Sequence, residues 1–207
     1  MESKLEANMK EDIFITLGAS NHGKGNREEN DYYATEPIAA KLLLEVEPQL
    51  NNIWECACGE GHLAKVFNSF GKLGKATDLV NRGYGSVEDF LLNNEPYRNG
   101  DIVTNPPYIK AVEFVKQALN KVDKGRKVCM FLKVTFLEGK GRKQMFLENP
   151  PKTVYISSSR IPCAKNGEFE VWNEKKQKME QVSSAIAYAW YVWEKGFTGK
   201  PVIEWIN

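Results

Sequence analysis

A short apolar stretch that ends in two consecutive prolines constrains the fold of this chain most strongly. Asp101-Ile-Val-Thr-Asn-Pro-Pro-Tyr108 has the composition of a short buried strand as far as Thr104, after which the prolines prevent both strand and helix from continuing. Each proline favours extended backbone in the residue before it, so Asn105 and Pro106 are both predicted to be extended. The result is a stiff corner that presents an amide side chain, a backbone carbonyl and an aromatic ring.

This corner has the chemistry to bind a planar group that carries an NH2. The side-chain oxygen of Asn105 and the carbonyl of Pro106 can each accept one hydrogen of such an amino group. Tyr108 can stack on the ring to which the amino group is attached. The alternative interpretation is a proline-rich turn with a half-buried tyrosine, and only the context of the motif decides between the two.

A glycine turn between a strand and a helix supplies the first part of that context. Ile53 and Trp54 fit a buried strand, and Leu63 to Phe70 has helical spacing. Gly59 and Gly61 lie between them, where they permit tight turning and a close approach of the backbone to a ligand. The pattern predicts the first strand–turn–helix unit of a nucleotide-binding sheet.

An aspartate follows this turn at the spacing expected for a ribose ligand. Asp78 lies at the end of a predicted second strand, 19 residues after Gly59. An acidic residue about 20 residues beyond a glycine turn can accept both ribose hydroxyls. A solvated turn aspartate is the alternative. The segment that follows, Ser86 to Leu91, is ambiguous, because Ser86 and Asp89 also have the spacing of a helix capping box.

Strand and helix patterns alternate along the rest of the chain. A helix is predicted from Ile38 to Val46, with Pro37 in its first turn, and another over 109–122. Further strands are predicted over 127–134, 152–157, 183–193 and 201–206. Residues 158–181 are polar without a strong period, and either a target-reading loop or a plain surface loop fits them.

Charge is distributed unevenly. The chain carries a net charge of only +1, which by itself argues against a nucleic-acid binder. Residues 109–165, however, contain 13 Lys or Arg and 4 Asp or Glu, so this part carries +9 and the remainder −8. Such a division suggests a polyanion on one side, or simply a solvated helical face. Four bases, Lys140, Arg142, Lys143 and Arg160, are candidates for contacts with phosphates.

The spacing of the cysteines and the hydropathy of the chain limit which kinds of site and which cellular location are expected. The four cysteines have no spacing typical of a metal site or of a disulfide framework, so we expect reduced thiols, no metal and a cytoplasmic location. No apolar run approaches the ~20 residues of a membrane span. We expect residues 1–30 to form a mobile arm and residues 31–207 to form one catalytic domain.

The corner and the glycine turn together resemble a known enzyme family. Asn105-Pro-Pro-Tyr108 resembles motif IV of S-adenosylmethionine-dependent amino methyltransferases, especially the small, phage-type DNA adenine-N6 methyltransferases. Tyr33-Ala-Thr-Glu-Pro37 resembles motif X, although Glu36 separates the threonine from the proline. The glycine turn resembles motif I, and Asp89-Phe90 stands where motif III is expected.

The resemblance implies a fold, a cofactor and a set of site residues. The implied fold is α/β and Rossmann-like: a seven-stranded, mostly parallel sheet with a C-terminal antiparallel hairpin and helices on both faces. The implied cofactor is S-adenosylmethionine, bound by Tyr33, Thr35, Glu55, Cys56, Gly59, Gly61, Asp78, Asp89, Phe90 and Asn105. The implied catalytic residues are Asn105, Pro106, Pro107 and Tyr108.

The implied reaction is methyl transfer to N6 of an adenine in DNA, with the base turned out of the duplex because it is otherwise unreachable. Methylation of cytosine N4, of an RNA base or of a protein glutamine would use similar amino-group geometry. A binding module without turnover is the non-enzymatic alternative. The sequence leaves the oligomeric state open.

Overall fold

The structure is a computed structural model that describes residues 32–164, 169–174, 176–181 and 186–207. The predicted arm, residues 1–30, lies outside the described residues. The strands are β1 (Ala34–Thr35), β2 (Ile53–Glu55), β3 (Leu73–Asp78), β4 (Ser86–Val87), β5 (Asp101–Thr104), β6 (Lys127–Lys133), β7 (Thr153–Ser157), β8 (Cys163–Ala164), β9 (Glu170–Asn173), β10 (Lys178–Gln181), β11 (Tyr188–Glu194) and β12 (Val202–Ile206). The α-helices are α1 (Ile38–Val46), α2 (His62–Ser69), α3 (Ala111–Lys121) and α4 (Lys140–Glu148).

One sheet of eight strands forms the centre of the molecule, in the order β12-β7-β11-β6-β5-β2-β3-β4. All neighbours are parallel except β11, which is antiparallel to both β6 and β7. This arrangement confirms the predicted mostly parallel, Rossmann-like class. The predicted count of seven strands was one too low, because the ambiguous segment after Asp78 forms the two-residue strand β4 and not a helix start.

The last two strands do not form the predicted C-terminal hairpin with each other. β11 lies inside the sheet, whereas β12 lies at the edge and pairs in parallel with β7. The physical reason is that β11 is apolar on both of its faces, so it can be buried only between two other strands. β12 is largely exposed, with Trp205 71% accessible. Within the described residues, the separate antiparallel hairpin is β9–β10.

Helices cover both faces of the sheet, as predicted. On one face, α1 and α2 pack against alternate residues of the central strands, including Cys129 and Phe131 of β6. On the other face, α3 and Met145 of α4 pack against the intervening residues, including Met130 and Leu132. Trp190 lies in the first of these cores, fully buried, and its Nε1 donates a hydrogen bond of 2.8 Å to the Ala39 carbonyl.

A short pairing outside the main sheet connects distant parts of the chain. β1 pairs antiparallel with β8, so that Thr35 lies opposite Cys163. This pairing places the segment before α1 beside the segment that follows β7. The sequence had indicated no partner for either segment. No helix in the part of the chain that the structure describes is long and apolar enough to cross a bilayer.

Candidate active site

A cavity of about 360 Å³ opens at the carboxyl ends of the parallel strands. Open α/β sheets bind ligands at this edge. The predicted site residues that line it are Tyr33, Thr35, Glu55, Cys56, Asp78, Asp89, Phe90, Asn105, Pro106, Pro107 and Tyr108. The structure therefore places the proline corner and eight of the ten predicted cofactor residues around one cavity.

The side chain of Asn105 is fixed in orientation by the segment that contains β1. Its Nδ2 donates hydrogen bonds to the Tyr33 carbonyl at 3.2 Å and to Thr35 Oγ1 at 2.8 Å. A backbone carbonyl can only accept, so the nitrogen must face Tyr33 and the oxygen must face away from it. Asn105 Oδ1 is buried and has no hydrogen-bond partner among the described residues. The amide of this cavity-lining residue thus carries a buried acceptor oxygen that no described group uses.

The two prolines differ in what their carbonyls do. The Pro107 carbonyl accepts the Lys110 N–H at 2.9 Å, which starts the short 3-10 helix Tyr108–Lys110. No backbone donor in the described residues reaches the Pro106 carbonyl. The Pro106 carbonyl is therefore the candidate for a second acceptor immediately after Asn105, and this role stays a prediction; the Pro107 carbonyl, for which the sequence suggested the same, is already paired.

Tyr108 belongs to a row of aromatic rings. Its ring is near-parallel to that of Tyr33 at 6.2 Å between centroids and to that of Tyr188 at 5.9 Å. The row continues through Phe131 to Trp190 in the core. The Tyr108 hydroxyl donates to Cys163 Sγ at 3.5 Å, and burial raises the pKa of this hydroxyl well above its ordinary value. The tyrosine is therefore held rigidly and stays neutral.

Glu55 is a buried acid at the end of β2. It is 2% exposed, and its Oε2 has no hydrogen-bond partner among the described residues. Burial raises the pKa of this carboxyl well above its ordinary value; the backbone at Ala64 opposes the shift and the charge of Asp78 adds to it. A cation or a donor group bound in the cavity would satisfy the unpaired oxygen and favour the ionised form.

Asp78 is bound to the glycine turn by a hydrogen bond. Its Oδ2 accepts the Gly59 N–H at 2.8 Å, and its Oδ1 accepts the Val80 N–H at 3.0 Å. Each carboxylate oxygen can accept more than one hydrogen bond, so these contacts orient the group while leaving capacity for hydroxyls. The 19-residue spacing noted in the sequence thus corresponds to a direct contact between the two positions.

The glycine turn is covered by aromatic side chains of this same chain. Gly59 and Gly61 have φ of +53° and +82°, values that favour glycine. A Cβ at Gly59 would overlap the ring of Tyr32, and one at Gly61 would overlap the ring of Tyr84. Neither glycine lines the cavity. The close approach predicted for a ligand is therefore made by two tyrosines.

Asp89 forms a turn at the far end of the cavity. Its Oδ1 accepts the N–H groups of Leu91 and Leu92 at 2.9 and 3.2 Å, so the spacing from Ser86 does not make a capping box. Both of these hydrogen bonds use Oδ1, and within the described residues Asp89 Oδ2 is left for a ligand. Phe90 is 2% exposed and packs edge-on against Trp54, so it is a core residue with one edge at the cavity.

The predicted phosphate-binding bases lie elsewhere. Lys140 and Lys143 are exposed at the start of α4, and Arg160 is exposed after β7. Arg142 donates from Nε to the Phe136 carbonyl at 2.8 Å and also binds the Glu138 carbonyl, so its guanidinium holds the local backbone. None of the four lines the cavity. Their contact with DNA stays a prediction.

Sequence reasoning missed several residues that line the cavity: Tyr32, His62, Arg82 and Lys110. Arg82 stacks over the Tyr32 ring at 4.1 Å, and the Tyr32 hydroxyl accepts the Glu60 N–H at 3.3 Å. Burial lowers the pKa of His62, which packs edge-on against Phe169. The sequence feature that could have indicated Arg82 as a cavity residue is its position in a glycine-rich loop directly after the strand that ends at Asp78.

Comparison with known proteins identifies the family. The model of the family DNA N-6-adenine-methyltransferase (Dam) matches residues 63–199, which is more than half of the chain. The chain belongs to the Dam family. It is accordingly an S-adenosylmethionine-dependent DNA adenine methyltransferase, which confirms the resemblance seen in the sequence. No curated protein matches it.

Solved structures share the fold of this Dam-family chain at low sequence identity. A protein from Listeria monocytogenes assigned as a class I S-adenosylmethionine-dependent methyltransferase matches with a TM-score of 0.55 and 13% identity, over 93% of this chain and 70% of that one. A protein from Pyrococcus horikoshii assigned as an RNA methyltransferase gives 0.53 and 15%, over 92% and 100%. The type IIG restriction endonuclease BpuSI gives 0.53 and 12%, over 89% and 28%.

Proposed function

We propose that this Dam-family enzyme binds S-adenosylmethionine along Glu55, Asp78 and Asp89, and methylates N6 of an adenine held by the corner Asn105–Tyr108. The observation that carries the proposal is the fixed amide of Asn105. Its nitrogen is bound by Tyr33 and Thr35, and its buried oxygen is unpaired within the described structure. An acceptor held in this way favours a ligand that brings a hydrogen-bond donor.

The cavity residues fit the chemistry of S-adenosylmethionine. The unpaired Oε2 of Glu55 suits the cationic methionine portion, and its ionised form would be stabilised there. The carboxylate of Asp78 suits the ribose hydroxyls, and Oδ2 of Asp89 suits the adenine amino group. Tyr33, Cys56 and Phe90 add apolar surface at the cavity wall. When bound, the cofactor supplies an electrophilic methyl group.

The corner would activate the target by position alone. The exocyclic nitrogen of adenine is a weak nucleophile because its lone pair is delocalised into the ring. If Asn105 Oδ1 and the Pro106 carbonyl each accept one N6 hydrogen, the nitrogen is favoured in a pyramidal form whose lone pair points into the cavity. Fixing a nucleophile in the reacting geometry can lower a barrier by several kcal/mol.

The target adenine must leave the duplex to reach this corner. Unstacking a base costs a few kcal/mol, and stacking on an aromatic side chain returns about 1–3 kcal/mol per base. Tyr108 is suited to that contact because its ring is held by the aromatic row and by Cys163. The basic character of residues 109–165 would attract the DNA backbone to the same part of the chain.

Methylation assays with labelled S-adenosylmethionine test this function directly. We expect label transfer to unmethylated mixed-sequence DNA and recovery of N6-methyladenine after digestion to nucleosides. A 2-aminopurine at the target position should become more fluorescent when the enzyme binds, because the base leaves the stack. Recovery of N4-methylcytosine, or transfer to RNA or protein in place of DNA, would contradict the proposal.

Replacing Thr35 tests the orientation of the amide. Thr35→Val removes Oγ1, so Asn105 Nδ2 loses its shortest hydrogen bond and keeps the Tyr33 carbonyl and a 3.9 Å contact with Cys163 Sγ, which hold the amide less firmly. Loss of one hydrogen bond is worth about 0.5–1.5 kcal/mol, so we expect kcat for methylation to fall up to roughly 10-fold. Cofactor affinity, measured by calorimetry, should change little. Thr35→Ser keeps the hydroxyl and should restore kcat; equal rates for both variants would reject the positioning role.

A further inference from the structure

A lysine lies beside the base-holding corner but outside the cofactor cavity. Lys133 is the last residue of β6, the strand that neighbours β5, so it reaches the same edge of the sheet as Asn105. Its Nζ lies over the Tyr108 ring, 5.1 Å from the centroid. Lys133 does not line the cavity. Its charge therefore lies beside the Tyr108 ring and outside the cofactor cavity.

The charge of Lys133 has no acidic counterpart in the described part of the chain. Several other lysines that are at least partly buried do contact oxygen atoms: Lys72, Lys75, Lys121, Lys127 and Lys152. Within the described residues, the groups beside the Lys133 charge are the Tyr108 ring and the Cys163 thiol. Burial raises the pKa of Cys163 to about 11 and raises that of Tyr188, so neither supplies a negative charge near pH 7.

A partly buried cation among neutral groups favours an anion brought by the ligand. The ligand at this edge is DNA, and every nucleotide carries a phosphodiester. Lysine binds phosphate as a compact point charge. Phosphate contacts also fix the register of a protein on DNA without reading the bases. We propose that Lys133 binds a backbone phosphate next to the target adenine and so positions that nucleotide against Asn105.

This inference rests on the proposed function, because it requires the target adenine to occupy the corner Asn105–Tyr108. It adds a positioning residue that acts on the DNA backbone and touches neither the amino group nor the cofactor. The ring of Tyr108 would then serve two contacts. In the absence of DNA it holds the Lys133 ammonium, and on binding it receives the base while the ammonium moves to the phosphate.

The salt dependence of methylation tests the inference. Lys133→Met should raise KM for methylatable DNA and reduce the slope of log(kcat/KM) against log[KCl] by about 0.9, the loss of one phosphate contact. Lys133→Arg, which keeps the charge, should restore the slope. Affinity for S-adenosylmethionine should be unchanged in both variants. An unaltered slope in Lys133→Met would overturn the inference, even if turnover fell through disturbed packing at Tyr108.

A matched control is available at the opposite edge of the sheet. Lys195 directly follows β11, whose end lies beside the start of β6, and it is partly buried like Lys133. Lys195→Met removes the same charge and should leave KM and the salt slope at wild-type values. If both variants lowered the slope equally, the effect would come from net charge and not from a phosphate contact. Absence of DNA methylation by the wild-type enzyme would instead refute the proposed function.

Discussion

Asn105→Ala is expected to abolish most methyl transfer while leaving cofactor binding intact. The substitution removes a buried side-chain acceptor of the corner that is unpaired in the described structure. In the proposed geometry that oxygen holds an N6 hydrogen as positive charge develops on the nitrogen. Removal of a comparable preorganised group costs enzymes about 2.7–4 kcal/mol, so kcat should fall roughly 100- to 1000-fold. Single-turnover rates with saturating cofactor would measure the loss.

Asn105→Asp provides a graded comparison. It keeps an acceptor that faces the cavity but replaces the Nδ2 donor by an oxygen directed at the Tyr33 carbonyl, which can only accept. We expect a kcat between those of the wild type and Asn105→Ala. The dissociation constant for S-adenosylmethionine, measured by calorimetry, should stay within about two-fold of the wild-type value in both variants. A change of that size corresponds to less than about 0.5 kcal/mol of binding free energy. Wild-type turnover by Asn105→Ala would reject the role assigned to the amide.

Trp190→Ala is expected to be the most damaging change to stability. Trp190 is fully buried in β11, packs on Phe131 at 5.0 Å between ring centroids and donates a hydrogen bond to the Ala39 carbonyl. It therefore joins the centre of the sheet to α1. Truncation of a buried tryptophan costs about 3–5 kcal/mol, a large part of the stability of an ordinary domain. Urea unfolding followed by circular dichroism would measure the loss as a lower midpoint.

The same residue type at the sheet edge provides the control. Trp205 of β12 is 71% exposed, so Trp205→Ala should change the free energy of unfolding by no more than about 0.5 kcal/mol. Trp190→Phe keeps an aromatic ring but loses the hydrogen bond to the Ala39 carbonyl. Its free energy of unfolding should lie between those of Trp190→Ala and Trp205→Ala. Similar midpoints for Trp190→Ala and Trp205→Ala would mean that β11 is not an interior strand of the sheet.

The parts of the site that could be predicted are those encoded within a few residues. The proline corner, the glycine turn and the end of the Asp78 strand each follow from local backbone preferences, and the fold class brings strand ends to one edge. The contacts between these parts were not predictable in the same way. Thr35 orients an amide 70 positions later, and this depends on the pairing of β1 with β8, for which the sequence has no local signal.

The position of β11 shows that long-range strand pairing was also hard to predict from the sequence. Two strand patterns joined by a short loop predict a hairpin, because local pairing has the lowest loop-closure cost. The aromatic residues on both faces of β11 favour burial between two strands, and this tertiary requirement outweighs the local preference. The relevant signal was in the sequence, in the contrast between Trp190 and the mixed pattern of Val202–Ile206, but it becomes decisive only when the whole sheet is considered.

The position of β11 between β6 and β7 has a consequence for biosynthesis. Ribosomes release a chain from its N-terminus, so β6 and β7 emerge well before the strand that must lie between them. Until Tyr188–Glu194 has been synthesised, these two strands have unpaired backbone groups along facing edges. Exposed edges of this kind invite pairing with other chains. The nascent polypeptide is consequently prone to aggregate between the synthesis of β7 and that of β11, and pairing of β11 covers the facing edges of β6 and β7.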